Sequence, residues 1–410
     1  MIPLENIKQE QNLVKRGFIN IVFLGLVSLF IDLSTEMVYP LVTIYLSTFA
    51  SVQIIGVIEG AAESLAALLK VYSGYLGDKF HFKKRLAFLG YSSAIFYKIL
   101  LFFSFGWVGV FFAKLVDRIG KGIRTAPRDA LVAESGEQAL GKAFGIHKML
   151  DMLGSALGVL IAFFLYGYLV NENQGLVDVE AFKKIFLISI IPAVIGVIFL
   201  LFVRETKKER KEVHTFHLKG IKIDSKLKFY IGIVLLFSIG NSSNAFLILK
   251  IYEIGFSPQN VLLLYLIYNV TTSLFAIPLG KLSDKIGRRR LVVPGYLLYG
   301  IVYFGFALFE TQTYIIILFI LYGLYQAFIT GAEKAYISEY SPKEMKGTML
   351  GLYGTAQGIG LLFASLIAGF LWTVIGPNAP FVLGGITGIV SAVLTFIVMS
   401  KKTKKLTEVK

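Results

Sequence analysis

The sequence contains no cysteine, which excludes disulfide bonds and thiolate chemistry. Charged residues are scarce: Asp, Glu, Lys and Arg make up 16% of the 410 residues, whereas a soluble domain carries roughly 25%. The phosphate-binding pattern Gly-x4-Gly-Lys-Ser/Thr is also absent, so the chain has no P-loop with which to use ATP. Of these features, the scarcity of charge argues against a soluble enzyme, and the missing P-loop argues against ATP-driven transport by this chain alone.

Apolar residues, by contrast, make up 56% of the chain, and the mean hydropathy is +0.71. Apolar runs of about 20 residues, long enough to cross a bilayer as a helix, recur from end to end. This pattern predicts an all-α polytopic membrane protein whose twelve transmembrane helices form two six-helix bundles. The predicted helices cover residues 17–47, 53–76, 85–105, 107–131, 142–169, 181–203, 228–251, 258–280, 289–309, 312–338, 345–373 and 378–400.

The net charge is +15, and Lys and Arg lie mainly between the apolar runs. This is the positive-inside distribution of membrane proteins, so it does not require a nucleic-acid partner. The basic segment 204–227 and the basic last ten residues predict that this segment and both termini face the cytoplasm, at the inner membrane. We expect bundles at 1–203 and 228–410 with 204–227 as the linker, and we expect the first apolar run to be retained as a helix rather than cleaved as a signal peptide.

The two halves repeat each other at a constant offset. GYLGDKFHFKKR begins at Gly74 and GKLSDKIGRRR at Gly280, an offset of 206 residues. The same offset carries Arg128 onto Lys334 and Gly154 onto Gly360. One register that links separate loops and helices indicates duplication of a six-helix unit, the arrangement in which two bundles rock around a central site.

The repeated segment resembles the loop signature of the major facilitator superfamily, Gly-x-Leu-x-Asp-Arg/Lys-x-Gly-Arg-Arg/Lys. The second copy matches fully, and the first departs from it at His81 and Phe82. The matching positions are Gly74, Asp78, Lys79, Gly280, Asp284, Lys285, Gly287 and Arg288. The resemblance extends over essentially the whole chain and implies the twelve-helix fold of that family. The aspartates predict a charge-assisted latch between access states; turn residues with topogenic charge are the alternative.

Ionisable residues lie inside the predicted helices of the first half, where each costs roughly 2.5–3.5 kcal/mol at the bilayer centre unless it has a partner or a wet cavity. They include three i,i+4 pairs, each on one helix face: Asp32/Glu36, Glu59/Glu63 and His147/Asp151. Asp117 and Arg118 lie near the middle of the fourth helix. Similar depths make a buried ion pair between Arg118 and Asp32 a plausible expectation.

A second resemblance concerns proton coupling. The segment RIGKG from Arg118 is similar to the Arg-x-x-Gln-Gly motif of the superfamily's proton antiporters, with Lys121 in place of Gln. The resemblance implies that Arg118 tunes a proton-carrying carboxylate, for which Asp32 is the candidate. The full expected proton-coupling set is Asp32, Glu36, Glu59, Glu63, Asp117, Arg118 and Asp151.

The fifth helix partly matches an antiporter motif, Gly-x8-Gly-x3-Gly-Pro-x2-Gly-Gly. Gly145, Gly154 and Gly158 fit the spacing, whereas Val159 replaces Pro; we expect these glycines to allow close helix packing. The strings around Asp32, Glu59 and Arg118 resemble a bacterial branch that includes drug-efflux-like members and magnetosome relatives.

The second half has polar rather than charged residues inside its helices. Since the seventh and tenth helices should face the centre, the expected substrate contacts are Asn241, Asn244, Tyr322 and Gln326, with interhelical packing as an open alternative.

The leading hypothesis is a monomeric, proton-coupled secondary transporter, without cofactor or structural metal, that exports a small amphipathic or cationic compound by alternating access. A divalent-metal transporter using the buried carboxylates and a membrane sensor that binds ligand without transport are the alternatives. No nucleophile–base pair indicates an enzyme. Membrane lipid is the expected partner of exposed basic side chains.

Overall fold

The computed structural model describes residues 4–80, 82–135, 140–170, 177–205, 225–341 and 346–400. Every regular element in these ranges is an α-helix, and the sixteen helices group into the twelve expected spans. The all-α prediction is therefore confirmed, while several helix ends extend beyond the predicted limits.

The first six spans, which we call the first half, comprise α1 Leu4–Glu36, α2 Tyr39–Ser47, α3 Val52–Phe80, α4 Lys83–Phe103, α5 Trp107–Ser135, α6 Leu140–Leu169, α7 Val179–Ile188 and α8 Ile190–Phe202. The last six, the second half, comprise α9 Ser225–Gly240, α10 Asn244–Glu253, α11 Pro258–Ile286, α12 Arg289–Leu308, α13 Gln312–Thr330, α14 Ala332–Tyr340, α15 Lys346–Val374 and α16 Ala379–Ser400. Residues 206–224 of the predicted linker lie outside the described part, so the domain limits stay a prediction.

Successive spans run antiparallel, which gives the molecule two distinct ends. The connections after the odd-numbered spans lie at one end, which we call the turn end. The chain termini and the connections after the even-numbered spans lie at the other, which we call the terminal end.

Four spans are interrupted where the apolar pattern predicts continuous helices, at residues 37–38, Ser189, 241–243 and Gly331. Pro40 lies in the first turn of α2, where its missing N–H does no harm and its fixed φ favours a new helix start. The Ser243 side chain accepts a hydrogen bond from the Ala245 backbone N–H and caps α10. These local signals are weaker than the hydropathy pattern, so hydropathy alone merges the two helices of each broken span.

Eleven segments of the described chain are long and apolar enough to cross a membrane. The span without such a segment is α5, in which eight charged residues lie between Lys114 and Glu134. Eleven of its residues are nevertheless buried, including Asp117, Arg118 and Arg124. This helix is accommodated by protein partners rather than by lipid.

Glycines set the closest approaches between helices. In α6, a Cβ at Gly154 or at Gly158 would collide with the α1 backbone, so their absence of a side chain lets α1 and α6 pack tightly. The two halves meet where α3 packs on α15, α2 on α10 and α6 on α11. The α2–α10 and α6–α11 contacts lie toward the turn end, since Gly167 of α6 abuts Gln259 at the start of α11.

Candidate functional site

Two ion pairs connect α3 to α5. Lys114 pairs with Glu59, and both side chains are almost fully buried, at 4% and 1% exposure. One helical turn further along, the Arg118 Nη2 atom lies 2.9 Å from Glu63 Oε1. Both pairs are spaced i,i+4, so the carboxylates share one face of α3 and the cations share the facing side of α5. We call this arrangement the charge ladder.

The charge ladder differs from the expected pairing in two respects. Arg118 does not pair with Asp32: its other Nη atom lies 3.4 Å from Asp117 Oδ2, so Glu63 and Asp117 hold the guanidinium. Residue depth, on which the expectation relied, does not fix the direction in which a side chain points around its helix. Lys114 was not identified as a partner, although its i,i+4 spacing from Arg118 mirrors that of Glu59 and Glu63 and could have revealed it.

Glu59 also connects the two halves. Its Oε2 atom accepts a hydrogen bond of 3.0 Å from Ser243 Oγ, in the break between α9 and α10. The Tyr39 hydroxyl lies 3.4 Å from the same Ser243 Oγ, so the start of α2 reaches this point too. A carboxylate is favoured beside the N-terminus of α10, because the first backbone N–H groups of a helix are electropositive.

Asp32 instead faces another acid. Its carboxyl lies beside that of Asp151, across the tight contact between α1 and α6. Asp151 accepts hydrogen bonds from Ser28 Oγ at 2.7 Å and from Lys148 Nζ at 2.5 Å. Two neighbouring carboxylates repel each other unless one of them carries a proton or a cation lies nearby. We call Asp32 and Asp151 the acid pair.

Glu36 lies between the acid pair and the charge ladder. Arg118 and Asp151 are both close enough to act on it electrostatically, and its Oε2 atom is buried without a hydrogen-bond partner among the described residues. It stands one helical turn from Asp32 on α1, so the described acids form a broken line from Asp151 to Glu63.

The charge ladder borders a cavity of about 220 Å³ between the two halves. Glu63 and Tyr39 line it from the first half, and the remaining wall comes mostly from the second half. The four expected substrate contacts all line this cavity: Asn241, Asn244, Tyr322 and Gln326. Ser242, Ser243, Tyr268 and Leu361 complete the lining.

On the second-half side of the cavity, tyrosine rings and asparagine amides hold one another in place. The rings of Tyr268 and Tyr322 stack with centroids 5.1 Å apart, and the Tyr322 hydroxyl donates a 2.7 Å hydrogen bond to Asn244 Oδ1. Asn241 Nδ2 lies 3.4 Å from the Tyr325 hydroxyl. The wall thus offers flat apolar faces together with polar groups, which suits a compound of mixed polarity.

The loop-signature residues lie at the terminal end, away from the cavity. Gly74, Asp78 and Lys79 belong to α3, but their side chains, like that of Asp284, lie outside the described part. The remaining four are Gly280, Lys285, Gly287 and Arg288. Gly287 ends α11 with φ +92°, a conformation that glycine adopts without strain.

Arg288 contacts its own half in the described structure. It donates a 3.0 Å hydrogen bond to Ser283, and its Nε atom lies 3.8 Å from Glu339. A latch between the halves is therefore still a prediction. In α6, the close packing expected at Gly145 is not found among the described residues, none of which has an atom within 4 Å of a Cβ placed there; α1 lies near Gly154 and Gly158 instead.

Metal binding receives no support from the geometry. Across the described residues, no group of three or more His, Asp or Glu side chains converges as a metal-ligand set. The metal alternative would use five carboxylates. Glu59 and Glu63 pair with cations in the charge ladder, Asp32 and Asp151 form the acid pair, and Glu36 lies between the two groups.

A helical bundle whose two halves enclose a polar cavity beside buried charges defines a membrane transporter. The sequence profile of the Major Facilitator Superfamily matches residues 24–246 and 229–410. The chain belongs to this superfamily and is an integral membrane protein.

Among curated proteins, an uncharacterised MFS-type transporter of Methanocaldococcus jannaschii is 37% identical over 387 residues, which cover 92% of this chain and 94% of that protein. The multi-drug resistance efflux pump PmrA of Streptococcus pneumoniae is 31% identical over 126 residues, 31% of each chain. The magnetosome protein MamH of Paramagnetospirillum magneticum is 25% identical over 123 residues, 30% of this chain and 28% of its own. The resemblance to these branches is confirmed.

Among solved structures, a POT family transporter in complex with a thioalcohol-conjugated peptide superposes with a TM-score of 0.76, covering 94% of this chain and 96% of that one. Its sequence is 16% identical, so the likeness concerns the fold.

Proposed function

We propose that this transporter exports a small amphipathic or cationic compound in exchange for protons, by alternating access. The observation that carries the proposal is the position of Glu63, which lines the cavity and at the same time pairs with Arg118. A compound in the cavity and a proton on the first-half acids therefore act on the same ion pair.

The acid pair is the proposed proton site. Asp32 lies beside Asp151, so a proton on one of the two acids would relieve their mutual repulsion. Lys148 of α6 and Ser28 of α1 also contact Asp151. A change of charge there acts on Glu36, on which Arg118 acts as well. Loss of the proton would redistribute the buried cations and weaken the hold of Arg118 on Glu63, which frees Glu63 for the substrate.

The cavity favours compounds with a flat apolar part and polar or cationic groups. Tyr39, Tyr268 and Tyr322 offer ring faces for stacking or cation–π contact, while the amides of Asn241 and Asn244 offer hydrogen bonds. A cationic group would meet Glu63. The partial likeness to a multi-drug resistance efflux pump supports the same substrate class.

The proposed orientation rests on the positive-inside rule. We propose that the terminal end faces the cytoplasm at the inner membrane. Since the described contacts of α2 with α10 and of α6 with α11 lie toward the turn end, we infer a state closed to the outside.

The test uses purified protein in liposomes with an imposed pH gradient and ethidium as a flat aromatic cation. Ethidium movement driven by the gradient, with matching proton flux, is the expected result for the wild type. Asp32→Asn and Asp151→Asn should abolish both, whereas Glu180→Gln, at an exposed carboxylate of α7, should not. Gradient-driven movement that survives in both acid-pair variants would refute proton coupling at this site.

A further inference from the structure

A surface groove lies at the terminal end of the second half, between the start of α12 and the end of α16. Its volume is about 600 Å³, and it is separate from the central cavity. The lining residues are Ile286, Arg289, Arg290, Val293, Pro294 and Phe396. Two arginines at one end of an otherwise apolar groove form an amphipathic surface.

A contact with an aromatic ring fixes the position of Arg289 in the groove. The Arg289 guanidinium lies over the Phe396 ring, 4.3 Å from its centroid, and such a contact orients the planar group. The ion pair nearest in sequence belongs to Arg288, with Glu339. Within the described part of the chain, no carboxylate pairs with Arg289 or Arg290.

The internal repeat allows these two arginines to be compared with the equivalent residues of the first half. The 206-residue offset places Lys83 and Lys84 of α4 at the positions of Arg289 and Arg290. In the first half, Lys83 Nζ lies 2.6 Å from Glu134, and Lys84 Nζ donates to the Leu201 carbonyl at 2.8 Å.

Tyr340 occupies the second-half position of Glu134. At this corner of the first half, between α4 and α5, both lysines thus contact protein groups. At the equivalent corner of the second half, no acid stands in the position of Glu134.

The groove also faces the membrane. Val393, Phe396 and Ile397 on the last turns of α16 are each more than half exposed, as expected for side chains in contact with acyl chains. Because α12 begins and α16 ends beside the groove, we expect the groove at the depth of the lipid headgroups. Guanidinium groups bind phosphate oxygens through paired N–H donors.

We propose that this groove binds one anionic phospholipid, whose phosphate contacts Arg289 and Arg290 while an acyl chain follows the apolar lining. The bound lipid replaces the carboxylate that the first half uses at the equivalent corner. It ties the start of α12 to the end of α16 on the second half. Membrane association of this kind does not depend on the proposed proton coupling.

The test measures lipid binding to the purified full-length protein by native mass spectrometry and by melting temperature, with phosphatidylglycerol against phosphatidylcholine. Because each basic side chain near an anionic lipid contributes roughly a fivefold gain in affinity, Arg289→Gln/Arg290→Gln should lose about 30-fold in phosphatidylglycerol affinity. The exposed single variant Arg290→Gln should lose about fivefold.

The matched control is Lys83→Gln/Lys84→Gln, which removes the equivalent charges of the first half. Its melting temperature should fall in every lipid, but its preference for phosphatidylglycerol should equal that of the wild type. Three results would overturn the proposal: equal binding of the two lipids by the wild type, an unchanged preference in the arginine variants, or equal stabilisation by inorganic phosphate alone.

Discussion

Glu59 of α3 accepts a hydrogen bond from Ser243 of the second half while it pairs with Lys114 of the first. One buried carboxylate therefore joins both halves at the cavity. This geometry makes the Lys114–Glu59 pair of the charge ladder a structural support, whereas the Arg118–Glu63 pair borders the cavity.

Removing Lys114 should destabilise the protein strongly. Lys114→Met leaves Glu59 charged and buried without its cation, and breaking one partner of a buried pair costs about 3–5 kcal/mol. Thermal or denaturant unfolding in detergent would measure the loss. The double variant Lys114→Met/Glu59→Leu should recover most of it, because neither charge is then left unpaired. A loss in the double variant equal to the sum of the single losses would show that the two side chains are not coupled.

The hydroxyl of Tyr322 should contribute to substrate affinity, because its hydrogen bond to Asn244 holds both side chains in place at the cavity wall. A hydrogen bond of this kind contributes about 0.5–1.5 kcal/mol, so Tyr322→Phe should raise the apparent KM for ethidium by roughly two- to tenfold. Gradient dependence should be unchanged. Tyr314→Phe, at an exposed tyrosine of α13, serves as the control and should leave KM as it is.

Alanine substitutions at two glycines of α6 should have opposite effects on stability. Gly154→Ala places a methyl group against the Leu29 backbone, and such overpacking costs about 1–3 kcal/mol. Gly145→Ala meets no atom of the described residues and should be neutral or stabilising by up to about 1 kcal/mol, since alanine favours the helix. Melting temperatures of the two variants test the pair. Equal effects would mean that α1 and α6 do not pack as described.

Hydropathy and charge were sufficient to predict the twelve spans, and helical spacing brought Asn241, Asn244, Tyr322 and Gln326 to one wall. Which charged side chains contact each other was harder to predict. The sequence gives the depth of Asp32 and Arg118, but rotation about each helix axis depends on packing, and glycines such as Gly154 direct α1 toward α6. Asp32 therefore meets Asp151. The breaks in spans 1 and 7 depend on single residues, Pro40 and Ser243, within long apolar runs.

The variant Glu63→Gln tests whether Glu63 transmits proton binding to the cavity. Wild-type and variant liposomes are compared for gradient-driven ethidium accumulation and for exchange of ethidium across the membrane without a gradient. We predict that Glu63→Gln still exchanges ethidium, with a raised KM because the carboxylate that meets the cation is lost, and that it no longer accumulates ethidium. Full gradient-driven accumulation in Glu63→Gln would contradict it.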